Sequence, residues 1–180
     1  MKLSTLAVLL GTVFSVPQLV GLFSPAVFAE KARKFPRSEA WGYLLMSIAT
    51  AWFLWNLDHE SISDFAAYKK VMLTGFAAIG VATCIFVRDF LAVRGLAIVL
   101  LLLAWYTLNL TRWAESPWRL LIVCWAYVWV ISGMWFTISP WRLRDYLHWT
   151  TATPERIRFT SGLRLAWGVL VALLGVTVLR

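Results

Sequence analysis

Long stretches without Asp, Glu, Lys or Arg alternate with short charged segments along the whole chain. Each uncharged stretch has about the length that an α-helix needs to cross the hydrocarbon core of a bilayer, roughly 20 residues. Strands of a membrane barrel are not indicated, because apolar and polar positions do not alternate with a period of two. The pattern therefore predicts six transmembrane helices, near residues 3–23, 40–57, 71–87, 95–111, 119–138 and 162–179.

Two of the predicted helices end in the same short motif. Residues 51–61 read AWFLWNLDHES and residues 104–116 read AWYTLNLTRWAES, so both contain A-W-[F/Y]-x-x-N-L followed by E-S. Self-similarity along a chain indicates repeated structural units. We therefore expect one membrane domain over residues 1–180 made of three tandem helical hairpins, although membrane helices share a small alphabet and also match by chance. The predicted hairpins cover about residues 1–57, 69–113 and 117–180.

Ser-Pro and Thr-Pro pairs mark further helix starts, since Ser or Thr caps a helix and Pro suits its first turn. These pairs begin at Ser24, Ser116, Ser139 and Thr153. Three of them are expected to start short helices in cytoplasmic loops. In residues 140–149, Leu143, Tyr146 and Leu147 share one helical face with Thr150. This pattern predicts an amphipathic helix lying in the membrane interface.

Small residues spaced three or four apart indicate where membrane helices approach closely. Such stripes occur on the first, third and sixth predicted helices: Ala7, Gly11 and Ser15; Gly75, Ala78 and Ala82; Gly168, Ala172 and Gly175. The fourth helix carries a run of leucines over residues 100–103 and no stripe, so we expect it to face lipid. The fifth carries Trp125, Trp129 and Trp135, which would face lipid or a partner protein.

The composition agrees with membrane helices. Of the 180 residues, 61% are hydrophobic and 14% are charged, whereas soluble domains average roughly 45–50% apolar and about 25% charged residues. A soluble domain of this size leaves about a third of its chain surface in water, so it would not hide so much apolar surface. A soluble globular protein and a disordered tail are both excluded.

The net charge of +8 is unevenly distributed along the chain. Most of the 17 Lys and Arg lie in the connections 24–39, 88–94 and 139–164, whereas residues 58–70 are the most acidic stretch. Cytoplasmic loops carry an excess of Lys and Arg. We therefore expect a plasma (inner) membrane protein whose odd-numbered loops are cytoplasmic and whose two termini lie outside.

The basic excess is expected to contact anionic lipid headgroups rather than nucleic acid, because it lies next to predicted membrane helices. The candidate headgroup contacts are Lys31, Arg33, Lys34, Arg142, Arg144, Arg156 and Arg158.

Residues 1–29 have a second interpretation. Met1-Lys2, an apolar stretch and Val27-Phe28-Ala29 before Glu30 resemble a secretory signal with a small-residue cleavage site. Against cleavage, the apolar stretch is longer than the roughly 7–15 residues of such a signal, and Pro17 interrupts it. Cleavage would also leave the basic residues 31–37 outside.

No cofactor, metal site or catalytic set is expected from the polar residues. The two histidines, His59 and His148, lie in predicted connections rather than at membrane depth, where a haem would need them. Neither has a second His or Cys at a metal-ligand spacing. The interiors of the predicted spans lack charged side chains, which are usual in proton relays and ion pathways.

The most informative polar residues are Asn56 and Asn109, each four positions after Trp52 or Trp105 in the repeated motif. This spacing places each Asn-Trp pair on one helix face. The repetition suggests a pseudo-symmetric ligand site near the outer surface. The alternative is that Asn hydrogen-bonds a neighbouring helix while Trp anchors the interface.

These observations favour a non-enzymatic, tryptophan-rich scaffold or accessory subunit that acts through helix packing and lipid contact. Its partners would be the membrane, anionic headgroups and another membrane protein. The runner-up is a small carrier or channel for a neutral or lipid-like solute. A lipid-modifying enzyme comes third, because its acid and base groups would be limited to interfacial residues: Asp58, His59, Glu60, Asp145 and His148.

Overall fold

A computed structural model describes residues 2–60 and 63–179, with the backbone alone for residues 63–65. Ser61 of the first repeated motif and the side chain of Asp64 in the acidic connection therefore lie outside the described residues. Within these ranges the chain is all-helical. Eight α-helices are present, namely α1 (Leu3–Phe23), α2 (Pro25–Lys34), α3 (Glu39–His59), α4 (Lys69–Phe86), α5 (Leu91–Arg112), α6 (Arg119–Ile138), α7 (Trp141–Thr150) and α8 (Pro154–Thr177). Short 3₁₀ helices cover Phe35–Arg37 and Ser63–Tyr68.

Five stretches in these ranges are long and apolar enough to cross a membrane: α1, Ala66–Phe86, α5, α6 and α8. An all-α chain with several helices long and apolar enough to span a membrane is thus confirmed. Helix α3 has the same length as α1 but is less apolar, because three Trp, one Tyr and one Asn lie within it.

Helix α5 lies at the centre of one group of helices. It packs against both α3 and α6, and α4 packs against α3. Residues Gly42 and Gly95 mark the contact between α3 and α5: a Cβ on Gly42 would meet Leu91, and one on Gly95 would meet Met46. Since 42 faces 91 and 46 faces 95, α3 and α5 run parallel.

Helices α1 and α8 form the most extensive helix pair. A Cβ on Gly11 would lie 2.7 Å from the backbone nitrogen of Ala172, and one on Gly175 would lie 2.9 Å from the carbonyl oxygen of Ser4. These contacts make the pair antiparallel, and they confirm that the predicted small-residue stripes of the first and sixth helices mark a close approach.

The core joins the two groups of helices through aromatic side chains. Trp125 and Trp129 of α6 are both buried. The Trp125 ring lies 5.2 Å from that of Phe14 on α1 and 6.2 Å from that of Trp167 on α8. Two of the three α6 tryptophans are therefore packing residues within the chain, whereas Trp135 remains 54% exposed.

The expectation that the fourth predicted helix faces lipid is wrong. This helix, α5, is the most buried of the five stretches that are long and apolar enough to span. Small side chains make the helix contacts of α5, since Ala97, Ala104 and Thr107 are fully buried. They are not all spaced three or four residues apart, so they do not form a stripe of that spacing. The leucines of residues 100–103 are only partly buried beside them.

The stripe predicted on the third helix is also wrong. Around Gly75 of α4 no atom would lie within 4 Å of an added Cβ, and Ala78 is exposed. The close approach of α4 is made instead by Gly80, where a Cβ would lie 2.6 Å from Thr50 on α3. Phe76 and Phe53 pack edge to face one turn further along, with ring centroids 5.0 Å apart.

The Ser-Pro and Thr-Pro pairs do lie at helix starts, with one difference. Short helices begin at Pro25 and, just after Pro140, at Trp141. At Thr153 a separate short helix was expected, but the long helix α8 begins there instead of near residue 162. The Thr153 hydroxyl accepts a 3.3 Å hydrogen bond from the Arg156 amide, so a local cap starts the helix before the apolar stretch does.

The helix contacts do not follow the three predicted hairpins. The most extensive contacts join α1 with α8, α5 with α6, and α3 with α5, whereas each predicted hairpin would pair α1 with α3, α4 with α5, or α6 with α8. The repeat stays a prediction from the sequence motif.

Candidate functional site

One end of the helix bundle carries most of the short helices and is called the basic end below. It comprises α2, the 3₁₀ turn Phe35–Arg37, residues 87–90, α7 and the first turns of α8. A small apolar core holds it together, with Phe90, Val93 and Leu143 buried and Phe136 and Leu147 packed against them. The predicted amphipathic helix is present as α7, and its Leu143 and Thr150 are buried while Tyr146 is half exposed.

Two hydrogen bonds hold α2 against the turn between α7 and α8. The Arg33 guanidinium donates from Nε to the Thr151 hydroxyl at 2.9 Å and from Nη2 to the Thr151 carbonyl oxygen at 2.6 Å. The Arg33 side chain thus connects two segments that are 118 residues apart in the sequence.

Four of the seven predicted headgroup residues are engaged by neighbours. Besides Arg33, Lys34 pairs with Glu30 at 2.6 Å and Arg144 with Asp145 at 2.9 Å. The hydrogen bond and charge of Lys34 lower the pKa of the Glu30 carboxyl, so this pair stays ionised to lower pH. The Arg156 guanidinium lies 5.8 Å from the centroid of the Trp149 ring.

The other three predicted headgroup residues are Lys31, Arg142 and Arg158. All three are exposed, and within the described part of the chain no carboxylate lies within 4 Å of them. Their positions on α2, α7 and the start of α8 spread positive charge across the basic end.

The two Asn-Trp pairs lie in different surroundings. On α3, Asn56 is half buried and donates from Nδ2 to the Trp52 carbonyl oxygen of its own helix at 2.9 Å. The Trp52 ring packs edge to face on Tyr106 of α5, with centroids 6.4 Å apart. On α5, both Asn109 and Trp105 are exposed. Since no hydrogen bond joins the pairs among residues 2–60 and 63–179, the pseudo-symmetric site stays a prediction.

A groove of about 680 Å³, called the α6 groove below, lies between α1, α6, α7 and α8. Its wall along α6 is aromatic. The part of the groove at the basic end is polar. The residues that line the groove include Phe14, Gln18, Trp125, Trp129, Trp135, Arg142, Asp145, Tyr146 and Arg164.

The polar end of the α6 groove is built from two helices. The Arg164 guanidinium of α8 donates from Nη2 to the Tyr146 hydroxyl of α7 at 2.7 Å and lies 5.7 Å from the centroid of that ring. Arg142 of α7 lines the same end. Both groove arginines lack a carboxylate within 4 Å in the described ranges, whereas Asp145 is paired with Arg144.

Gln18 of α1 is the buried polar group of the groove. Only 6% of it is exposed, its Nε2 donates a 3.4 Å bond to the Phe14 carbonyl oxygen, and its Oε1 has no partner among the described atoms. A buried amide oxygen without a donor costs roughly 1–3 kcal/mol. Gln18 is the one amide side chain in the first uncharged stretch, and its isolation there was the only signal in the sequence that could have identified it.

A second, smaller cavity of about 330 Å³ lies between α3, α4 and α5. Arg94 lines it together with Thr50 and Thr83, and the Arg94 Nε has no partner among the described atoms. Arg94 lies just before the predicted span 95–111, but α5 begins at Leu91 and so contains it. Arg164 likewise lies ten residues into α8. Two long helices, α5 and α8, therefore each contain an arginine near the basic end.

Among residues 2–60 and 63–179, no group of three or more His, Cys, Asp and Glu lies close enough to hold a metal ion. Comparison with protein-family models, with curated protein sequences and with solved structures found no match to this chain.

Proposed function

We propose that this chain is a non-enzymatic, six-span membrane protein that acts as a scaffold or accessory subunit through helix packing and lipid contact. The observation that carries the proposal is the basic end, where α2 and α7 are held against the bundle and present unpaired cations. Anionic headgroups attract such juxtamembrane cations by about 1 kcal/mol each. Exposed apolar side chains such as Val71, Ile79 and Ile131 cover the long helices, which suits a lipid or membrane-protein environment.

The sixth span of this proposal is α3. Its 21 residues equal the length of α1, and at about 1.5 Å per residue they reach roughly 30 Å, the thickness of the hydrocarbon core. It also packs along α5 and α4, two helices that meet the length and hydropathy of a span. With six spans both termini lie on the side opposite the basic end, outside a plasma (inner) membrane by the positive-inside rule.

Cysteine labelling in right-side-out vesicles tests this topology. In a background with Cys84 and Cys124 replaced by Ala, Lys31→Cys and Glu60→Cys each place one thiol at an exposed position on either side of α3. We expect a membrane-impermeant maleimide to label Glu60→Cys in intact vesicles and Lys31→Cys only after permeabilisation. Labelling of both variants in intact vesicles would show that α3 does not span, and the reversed pattern would overturn the orientation.

The lipid-contact role predicts a preference for anionic lipid that depends on the basic end. In bilayers of mixed phosphatidylglycerol and phosphatidylcholine, the immobilised fraction of each spin-labelled lipid measures the composition of the shell around the protein. Each headgroup cation attracts an anionic lipid by about 1 kcal/mol, but the measured preference is an average over all lipids in the shell, most of which do not touch these three residues. Replacing Lys31, Arg156 and Arg158 together by Gln is therefore expected to lower the preference for phosphatidylglycerol by about twofold or more.

The matched control removes the same charge at the other end of the bundle. Replacing Lys2, Lys70 and Arg112 by Gln removes three exposed cations there and is expected to leave the preference within error. If both triple variants lose the preference equally, net charge alone explains it and the role of the basic end is refuted.

The carrier of a lipid-like solute is the second candidate, and the α6 groove favours it. The two functions differ in what the purified chain does alone. A carrier moves the solute across liposome membranes without a partner, whereas an accessory subunit co-purifies with a membrane protein in fixed stoichiometry.

A further inference from the structure

We propose that the α6 groove binds one anionic phospholipid with a headgroup hydroxyl, of which phosphatidylglycerol is the simplest example. Its acyl chain lies against the tryptophans of α6, and its phosphate lies between Arg142 and Arg164. This inference deepens the lipid contact of the proposed function, because it assigns one lipid to one site rather than a preference to the surrounding shell.

The depth of the groove fits one leaflet. Along α6 it extends from Trp135 near the basic end to Trp125, and ten residues of helix cover about 15 Å. Half of a hydrocarbon core that is roughly 30 Å thick is also about 15 Å. A chain entering from the basic end therefore has an apolar wall along its length, formed by Trp125 and Trp129 together with Phe14, whose ring packs on Trp125.

The charge at the polar end fits a phosphate. Arg142 and Arg164 both line it, and neither is neutralised by a carboxylate in the described part of the chain. Arg164 is already oriented by its bond to the Tyr146 hydroxyl, and guanidinium groups match phosphate oxygens geometrically. The one carboxylate at this end, Asp145, is paired with Arg144.

The buried amide selects the headgroup. Because Gly21 faces Ser161 and Gly11 faces Gly168, the antiparallel register of α1 and α8 places Gln18 at the level of Arg164. The unpartnered Oε1 of Gln18 accepts hydrogen bonds and therefore needs a donor. A phosphate diester and an acyl ester offer no donor, whereas a headgroup hydroxyl next to the phosphate does.

Native mass spectrometry of delipidated protein, titrated with defined lipids, tests the charge of the site. We expect one phosphatidylglycerol to bind at concentrations where phosphatidylcholine does not. Arg142→Gln with Arg164→Gln should weaken it roughly tenfold or more. Arg142→Gln alone, which removes no hydrogen bond within the chain, should weaken it several-fold and keeps the test valid if the double variant unfolds. The Lys31, Arg156 and Arg158 triple variant is the control and should retain the bound lipid.

Phosphatidylmethanol tests the headgroup selection, because it is anionic but has no headgroup hydroxyl. The natural chain should bind phosphatidylglycerol about fivefold more tightly, as one hydrogen bond predicts. In Gln18→Leu the two lipids should bind equally. An unchanged preference in Gln18→Leu would overturn the assignment of the hydroxyl to this amide.

Three outcomes would overturn the site as a whole: equal binding of phosphatidylcholine, displacement of the lipid by inorganic phosphate, or equal weakening in the control triple variant. The two proposals also fail separately. In the natural chain, absence of the shell preference with one lipid still bound refutes the basic-end proposal alone, whereas a shell preference with no groove lipid refutes this inference alone.

Discussion

Trp125→Ala is expected to lower the free energy of unfolding by about 3 kcal/mol in detergent. The Trp125 side chain is 7% exposed and packs on three rings, those of Phe14 at 5.2 Å, Trp129 at 4.6 Å and Trp167 at 6.2 Å. Truncating a buried Trp costs about 3–5 kcal/mol. The lower end is expected because lipid or detergent is as apolar as the core, so mainly packing is lost. Thermal or denaturant unfolding followed by tryptophan fluorescence measures the change.

Trp113→Ala is the matched control for this prediction. Trp113 follows the end of α5 and is 84% exposed, so its truncation should change the stability by less than about 0.5 kcal/mol. A similar loss of stability in both variants would mean that Trp125 does not join α1, α6 and α8.

Gly11→Ala is expected to destabilise the chain by about 1–3 kcal/mol, although it adds a single methyl group. The added Cβ would meet the Gly168 carbonyl oxygen and lie 2.7 Å from the backbone nitrogen of Ala172. Backbone atoms of α8 cannot rotate away, so the two helices must separate, and overpacking of this kind costs about 1–3 kcal/mol. The melting temperature in detergent is the measurement.

Gly75→Ala makes the same chemical change at an unpacked position. No atom lies within 4 Å of its Cβ position, and Ala forms helix better than Gly. We therefore expect no change or a slight rise in melting temperature. A fall for Gly75→Ala as large as for Gly11→Ala would show that loss of Gly, rather than contact with α8, sets the effect.

The groove residues show why part of the site was missing from the sequence interpretation. Gln18 is an isolated amide in an apolar stretch and Arg164 marked the edge of a predicted span, so neither had a motif around it. They lie 146 residues apart, and only the antiparallel pairing of α1 with α8 brings them together. Arg142 and Tyr146 could be expected near the membrane surface, because the periodicity of residues 140–149 already predicted α7.

The repeated Asn-Trp motif illustrates the opposite case. Its spacing correctly places Asn56 and Trp52 on one face of a helix, as the bond from the Asn56 amide to the Trp52 carbonyl oxygen shows. The motif carries no information about what each face meets. One copy packs towards Tyr106, and the other copy faces outward on α5.

The sequence by itself determined the features that depend on local chemistry: helical class, apolar stretches of spanning length, the short amphipathic helix α7 and the concentration of cations between the apolar stretches. Helix caps, prolines and the length of an apolar stretch depend on residues close together in the sequence, so they can be predicted from the sequence alone. Only the tertiary structure decided that α5 is central, that α1 pairs with α8, and that Gln18 and Arg164 line the same groove. The physical reason is that lipid is as apolar as a neighbouring helix. No difference in hydrophobicity therefore marks the packed face, and close packing of small residues decides it instead.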